Sequence, residues 1–244
     1  MPNPIPEIRS CTSLNDITAS DWDALNTTRY PFLRHAFLAG LESSHSVCAE
    51  TGWEPNHLLA YHGDTLVGAL PRYRKHHSWG EFVFDHAWAN ASHQAGVPYY
   101  PKGVTSIPFT PHPGPRVLTN CDETLSALIK ADNNDSTVSS NHWLFIEDTL
   151  KQPLETEGWL LRRGCQYHWK NHGYNDFDGF LGSLTSVKRK KLKRERRRVA
   201  ESGIRIERLL GHEIPADLWD DIYLLYSNSF LIRGNEPYYK PGFL

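Results

Sequence analysis

A run of basic residues near the C-terminal end of the chain is the clearest candidate for chemistry. Between Lys188 and Arg198 it holds nine basic residues, one acid and one leucine. Such a charge density binds phosphate groups, although a run of this kind is also commonly only the solvated face of a helix. No aromatic residue interrupts it, which favours contact with phosphates over stacking on bases. The candidate phosphate-binding residues are Lys188, Arg189, Lys193, Arg194 and Arg197.

A second candidate is the segment His76–His86, HHSWGEFVFDH, which gathers histidine, glutamate and aspartate. Its alternating pattern predicts a strand over Gly80–His86, in which Asp85 and His86 point to opposite faces. Adjacent histidines followed by a strand do not bring three ligands to one point, so no metal site is predicted. Asp85 or His86, with Trp88 just beyond, would either line a cleft or form a hydrogen-bonded strand end.

Two further polar groups follow this segment. Tyr99, Tyr100 and Lys102 stand together before a predicted strand, where they would contact a sugar or peptide, or pack as amphipathic tyrosines. Arg116 lies among prolines, in a rigid segment that would hold its guanidinium toward a carboxylate or phosphate. We take all four as candidate substrate-binding residues, together with Trp88.

The sequence also predicts a strand over Trp159–Trp169, with Gln166, His168 and Lys170 on one face. Buried polar groups need partners, so such a trio is either the wall of a site or an internal hydrogen-bonded network. We therefore add Gln166 and His168 to the candidate substrate-binding residues.

The composition places these candidates on a folded, slightly acidic protein. The chain has 244 residues, of which 39% are apolar, so it can bury a core. The net charge is -2 although the basic run is strongly positive, so the rest of the chain is acidic. Proteins that coat nucleic acid usually spread positive charge over a face, so a local anionic ligand fits this pattern better.

The cysteines and the N-terminus indicate a cytoplasmic protein. The four cysteines form no CxxC pair, which predicts neither a zinc site nor a disulfide framework. The first ten residues, MPNPIPEIRS, lack the basic head and apolar run of a signal peptide. No apolar stretch reaches the roughly 18 residues needed to span a bilayer, so no membrane span is expected.

The elements that must position these residues predict an α/β fold, of the α+β kind with a mixed sheet. A β-hairpin is predicted over His57–Leu70 around the turn at Gly63 and Asp64. A helix from Ser186, its predicted cap, to Gly203 carries the basic run. Further strands are predicted over Glu7–Ser13, Val104–Phe109, His142–Glu147 and Ile204–Leu210, and further helices after the caps Ser20 and Asn175 and over Pro31–Ser43, 87–95 and Glu123–Ala131.

Two stretches of the chain repeat. ITASDWDAL at Ile17–Leu25 and IPADLWDDI at Ile214–Ile222 share Ile, Ala, Trp and Asp at the same positions. A Phe-Leu pair follows each, Phe37-Leu38 after the first and Phe243-Leu244 after the second. Similarity at this scale predicts a tandem duplication. We predict a first module over 1–185, a basic junction helix over 186–203 and the first elements of a truncated second module over 204–244.

The predicted module resembles the acyltransferase fold of the GNAT superfamily, and the sequence is identified as a member of the FemAB-like family of bacterial proteins. The resemblance runs from about residue 7 to the end of the chain. It rests on WDAL (22–25), PFLRHAFLAGLE (31–42), GWEPNHL (52–58), LVGALPRYRKHHSWGEFVFDHAWA (66–89), YYPK (99–102), IPFTPHPGPRVL (107–118), QYHWKN (166–171), FDGFLGSLTSVKRKKLKRER (177–196) and GHEIPADLWDDIYLLY (211–226).

The resemblance implies N-acyl or aminoacyl transfer to an amine of a peptidoglycan precursor, with acetyl-CoA or aminoacyl-tRNA as donor. Acyl transfer needs a base, and Asp85 and His86 are the candidates. The helix in the coenzyme A position follows Val117–Asp122, which has no glycine and carries an acid that would repel phosphate. No cofactor is therefore evident, and the donor stays open. The family's longer chains imply that this chain lacks part of its site.

Two other functions stay open at this point. The chain would be a non-catalytic protein that recognises an anionic peptidoglycan precursor, or an RNA-binding module that acts through the basic helix. That helix would contact a tRNA acceptor arm, a diphosphate-lipid head group or a nucleotide. The sequence leaves the oligomeric state open.

Overall fold

A computed structural model describes residues 5–244. Residues 1–4, the start of the MPNPIPEIRS stretch, lie outside the described residues. The described residues form two compact units. The first unit consists of the described residues up to Arg162 together with Ile222–Leu244, and the second unit consists of Arg163–Asp221. Two β-sheets and eight α-helices among the described residues confirm the predicted mixed α/β class. The boundaries of the predicted modules, and their likeness to acyltransferase modules, stay predictions.

The elements follow one another along the chain as follows. The strands are β1 (Glu7–Cys11), β2 (Trp53–Pro55), β3 (His57–His62), β4 (Thr65–Leu70), β5 (Arg72–Lys75), β6 (Lys102–Thr105) and β7 (Asn141–Trp143). The helices are α1 (Ala19–Leu25), α2 (His35–Ser43), α3 (His86–Gln94), α4 (Asp122–Asn133), α5 (Lys151–Thr156), α6 (Phe177–Gly182), α7 (Ser186–Glu201) and α8 (Leu218–Leu231). Single turns of 3₁₀-helix cover Leu14–Asp16, Pro31–Leu33, Asp148–Leu150 and Gly211–Glu213.

The first sheet has the antiparallel order β1-β3-β4, and apolar clusters pack on both of its faces. The predicted hairpin is confirmed, since β3 and β4 pair around Gly63 and Asp64. Alternate residues of a strand face opposite sides, so Leu59 packs with Trp22 and Leu38 on one side of the sheet. On the other side Ala60 packs with Leu128 of α4.

The second sheet has the order β2-β5-β6-β7, with only the β6–β7 pair parallel. Its strand β5 was missed by the sequence analysis because RYRK carries three bases and no apolar alternation. Arg72 is nevertheless buried, because its guanidinium donates to Asp132 (2.6 Å), Asp135 (2.6 Å) and Asn141 (2.9 Å). These partners lie about sixty residues further along the chain, where no local pattern points to them.

A row of side chains crosses the second sheet. Lys75 lies opposite Trp53 in the β2–β5 pair and opposite Lys102 in the β5–β6 pair. Residues directly opposite one another in antiparallel strands project from the same face. The register of the sheet therefore places two lysines side by side, and all three side chains of the row are buried.

Three predicted strands are wrong. Trp159–Trp169 and Ile204–Leu210 are irregular and almost wholly exposed, and neither pairs with a described strand. Without a neighbour to receive its backbone hydrogen bonds, an exposed alternating segment has nothing to hold it extended. The third, Gly80–His86, is irregular because several of its residues have left-handed backbone angles, which are described with the candidate site.

Several helix starts also differ from prediction. Thr18, not Ser20, caps α1, because its hydroxyl accepts from the backbone N–H of Asp21 at 3.2 Å. Asp176, not Asn175, caps α6. Ser186 is the first residue of α7 rather than its cap. The helix predicted over Pro31–Ser43 divides into a 3₁₀ turn and α2.

Within residues 5–244, none of the helices combines the length and the apolar character that crossing a bilayer demands.

Candidate functional site

The centre of the candidate site is the ammonium of Lys102 on β6, which is fully buried. It donates to Ser78 Oγ at 2.9 Å, to Glu81 Oε2 at 2.8 Å and to Asp85 Oδ2 at 2.5 Å. An ammonium has three protons to donate, and these three contacts use all of them. Lys102 therefore holds the loop 76–85 against the sheet, and its predicted contact with substrate stays a prediction.

The loop 76–85 turns both acids toward Lys102 because its backbone is not extended. Gly80, Phe82 and Phe84 have φ values of 81°, 61° and 52°, in the left-handed region. Only glycine enters this region without strain, and a Cβ at Gly80 would also lie 2.8 Å from the ring of Phe109. The predicted strand over Gly80–His86 is wrong because these turns break the alternation.

Asp85 is held as a carboxylate. Its Oδ2 also accepts from the hydroxyl of Tyr99 at 2.7 Å. Burial alone would raise the pKa of Asp85, but the hydrogen bond from Lys102 and the other donors outweigh it and hold this pKa well below its usual range. The same arrangement raises the pKa of Tyr99, through burial and its hydrogen bond to Asp85. A carboxylate of such low pKa is a weak base, so catalysis by Asp85 stays a prediction that this geometry does not favour.

Lys75 is the second buried lysine of the site. Its Nζ lies 3.8 Å from the ring centre of Trp53 and donates to the carbonyl of Trp79 at 3.3 Å. Burial lowers the pKa of Lys75 from 10.5 to about 7, an effect that the carboxylate of Glu81 opposes and neighbouring Lys102 reinforces. Lys75 is therefore close to half-protonated at neutral pH.

The lowered pKa of Lys75 predicts a pH-dependent stability. Below pH 7 Lys75 carries its proton in both the folded and the unfolded state, so folding buries a positive charge, which is unfavourable. Above pH 7 the folded state releases the proton while the unfolded state keeps it until near 10.5, so stability rises with pH. Between pH 7 and pH 9 the free energy of unfolding should rise by about 2 kcal/mol more in the native protein than in Lys75→Met.

Urea unfolding of the native protein and the variant at both pH values measures this difference. Lys130→Met, at an exposed lysine of α4, is the control and should keep the native pH response. Parallel pH responses in the native protein and Lys75→Met would show that Lys75 keeps its proton when folded.

The two predicted base candidates point in different directions. Asp85 is buried, whereas His86 is exposed at the start of α3. Beside His86 the outer side of the segment carries three aromatic side chains with large exposed fractions, Trp79 (59%), Phe84 (73%) and Trp88 (65%). The segment thus reverses the usual pattern, since its charges face the interior and its aromatic rings face solvent.

The structure brings four predicted residues together, Asp85, Tyr99, Tyr100 and Lys102. The hydroxyl of Tyr100 lies 2.8 Å from Ser78 Oγ, and the two tyrosine rings meet edge to face at 5.1 Å. Lys75, Ser78 and His142 also belong to this group, although no pattern in the sequence predicted them. His142 on β7 packs near Tyr99, and its pKa is lowered to about 4 by burial and then by Lys102. His142 lies close to this group because its strand, β7, pairs with β6, the strand that carries Lys102.

Arg116 lies elsewhere in the first unit, where its guanidinium binds mainly to backbone carbonyls. Its guanidinium donates to the carbonyls of Leu144 (2.7 Å), His112 (2.6 Å) and Pro115 (2.8 Å). It therefore supports the proline-rich loop, and substrate binding by Arg116 stays a prediction. Gln166 and His168 are exposed in the irregular segment of the second unit, and their role is likewise a prediction.

The basic helix α7 belongs to the second unit and is exposed along most of its length. Arg189 is the exception among the predicted phosphate-binding residues. Its guanidinium donates to the carbonyls of Leu181 (2.9 Å), Gly182 (3.0 Å) and Leu184 (3.0 Å), so it caps the end of α6. Lys193 pairs with Asp178 at 3.1 Å. The exposed candidates are Lys188, Lys193, Arg194 and Arg197.

The first unit also contains a groove of about 830 Å³, which we call the aromatic groove. Its volume is typical of small-molecule sites. One wall comes from the loop after α2 and from β2, another from the segment that follows α8. Its aromatic lining is Trp53, Trp79, Phe109, Phe230 and Tyr238.

No set of three or more His, Cys, Asp or Glu side chains among the described residues is placed to hold a metal ion. In a comparison with protein families, the model of a FemAB-like family, described as peptidoglycan biosynthesis/recognition, matches residues 13–244. No curated protein and no solved structure matches the chain.

Proposed function

The chain belongs to the FemAB-like family of peptidoglycan biosynthesis/recognition, and from this premise we propose that it transfers an acyl group to an amine of a peptidoglycan precursor. The observation that carries the proposal is the extent of the family match. It covers Lys102 with its partners Ser78, Glu81 and Asp85, which we call the Lys102 cluster, and also the aromatic groove and the basic helix.

For the donor we propose an aminoacyl ester of tRNA. The N-terminal turn of α4 has no glycine and carries Asp122 and Glu123, whose charges would repel the pyrophosphate of coenzyme A. The exposed bases of α7 suit a phosphate backbone instead. In the transfer, the acceptor nitrogen attacks the ester carbonyl carbon, an amide bond forms, and the bond to the ribose oxygen breaks. The proton that the amine loses ends on the ribose hydroxyl.

A second candidate function is recognition of the precursor without catalysis. One specific observation favours it: the three protons of the Lys102 ammonium are all donated, to Ser78, Glu81 and Asp85. A lysine whose protons are all engaged in this way holds its neighbours in position more readily than it transfers protons.

A transfer assay decides between the two. The protein is incubated with a precursor that carries a free side-chain amine, and with either radiolabelled aminoacyl-tRNA or radiolabelled acetyl-CoA. We expect label in the precursor from charged tRNA alone. Label from acetyl-CoA would overturn the proposed donor, and binding of the precursor without transfer from either donor would establish recognition instead of catalysis.

A further inference from the structure

The aromatic groove is built from parts that are each tied in place. Phe109 stacks on Tyr238 with ring centres 4.9 Å apart, and Trp53 donates its indole N–H to the carbonyl of Trp79 at 3.2 Å. The backbone N–H of Lys240 donates to Ser46 Oγ at 2.9 Å, which fixes the far wall to the loop after α2. The groove is therefore formed before a ligand arrives.

The charges along the groove favour a cation. Glu50 and Glu236 line it, against a single lysine, Lys240. Lys240 lies 4.0 Å from Glu236 and partly neutralises it, whereas Glu50 has no ion-pair partner within 4.0 Å in the described part of the chain.

Of the two histidines in the lining, His77 adds no positive charge. Its Nδ1 accepts from the backbone N–H of Trp79 at 3.1 Å, and its Nε2 donates to the carbonyl of Thr51 at 2.9 Å. A ring nitrogen that accepts a hydrogen bond carries no proton, so this imidazole is neutral. Burial also lowers the pKa of His77.

Carboxylates beside aromatic rings are groups that bind an ammonium ion at the end of an apolar chain. The ring faces attract the cation and pack against the stem, while the carboxylates complete its charge balance. The two carboxylates would repel an anionic ligand. A purely apolar ligand would make no favourable contact with either carboxylate. Trp79, with more than half of its side chain exposed, supplies the most accessible aromatic surface in the lining.

We propose that the aromatic groove binds the acceptor as a protonated primary amine on a flexible alkyl stem, between Trp79 and the carboxylates of Glu50 and Glu236. This inference rests on the proposed function for its choice of an amine, and the groove supplies the place and the recognising groups. The transfer reaction requires the amine to lose its proton, so the groove binds the acceptor before the reactive step.

A pair of blocked peptides, Ala-Lys-Ala and its Nε-acetylated form, tests the proposal by calorimetry and by NMR of the indole N–H signals. Acetylation removes the charge and keeps the stem, so it should weaken binding about tenfold or more. The Trp79 indole signal, identified by its loss in Trp79→Phe, should shift only with the free amine.

The variants carry matched controls. Trp79→Ala, and the pair Glu50→Gln with Glu236→Gln, should each weaken binding about fivefold, while Trp79→Phe keeps most of the affinity. Glu155→Gln, at an exposed acid of α5, should change nothing. Equal affinity for the two peptides would overturn the assignment, and so would a preference for the free amine that these variants leave intact.

The two proposals can fail separately. Amine binding that depends on the groove, without acyl transfer from any donor, contradicts the proposed function alone. Transfer whose KM for the precursor is unchanged in Trp79→Ala and in the double glutamine variant contradicts the groove alone.

Discussion

Replacement of Lys102 by methionine is expected to lower the free energy of unfolding by about 3–5 kcal/mol, because it leaves two buried carboxylates without their cation. Glu81 and Asp85 both bind Lys102 within 2.8 Å, and the described structure gives the second oxygen of each no hydrogen-bond partner. For a chain of this size the loss corresponds to a decrease in Tm of roughly 10 °C. Thermal and urea unfolding measure both quantities.

Two further variants isolate the ionic cause. Combining Lys102→Met with Glu81→Gln and Asp85→Asn removes both signs of charge and should recover much of the loss, since a buried ionic set replaced as a whole is often neutral in stability. Lys130→Met breaks an exposed pair with Glu157 at 3.6 Å and should cost less than about 1 kcal/mol. Equal stabilities of Lys102→Met and Lys130→Met would show that the cluster does not hold the loop.

Acidic solution should partly rescue Lys102→Met. Without the ammonium, burial raises the pKa of both carboxyl groups in the folded state, so that state binds protons more readily than the unfolded one. Stability is then gained as the pH falls through the raised pKa values. The gap between variant and native protein should therefore narrow from pH 7 to pH 5.

The second large effect is expected at the basic helix. Replacing Lys188, Lys193, Arg194 and Arg197 together by glutamine should weaken binding of a short RNA duplex about 100-fold at low salt. It should also reduce the slope of log affinity against log salt by about 3, because each phosphate contact releases nearly one counterion. Fluorescence anisotropy at several salt concentrations measures both.

Arg189 stays unchanged in this test because its guanidinium caps α6, and its loss would confuse folding with binding. The control replaces an equal number of exposed arginines outside the run, Arg162, Arg163, Arg205 and Arg208. If the two variants lose the same affinity, the attraction is general and not a property of the helix. Binding of anionic vesicles in preference to RNA would contradict tRNA as the partner.

Local patterns predicted those elements whose stability is local. The hairpin of β3 and β4 needs only alternation and a turn at Gly63 and Asp64, and α4 needs only its apolar stripe. The basic run also forms a helix as predicted, over Ser186–Glu201. Each of these elements spans at most 16 residues, so a local window contains its whole pattern.

The rest depends on partners that lie far away in the chain. Asp85 and Lys102 were both singled out, but nothing in the sequence shows that one binds the other, since 17 residues separate them. The strand β5 is stabilised by Asp132 and Asp135, and Lys75 was invisible as a site residue because its neighbours come from β2 and β6. The alternation in Gly80–His86 predicted a strand because the sequence does not show that Lys102 binds the two acids of this segment and turns them to the same side.

The reversed loop, with its acids inside and its aromatic rings outside, has a consequence for how ligand choice could be altered. The ion pairs fix the backbone of the loop from within, independently of the side chains at Trp79 and Phe84. These two positions can therefore be exchanged without unfolding the loop that presents them. Of the two, Trp79 lines the aromatic groove, so substitutions there would change the ligand that the groove recognises with little loss of stability.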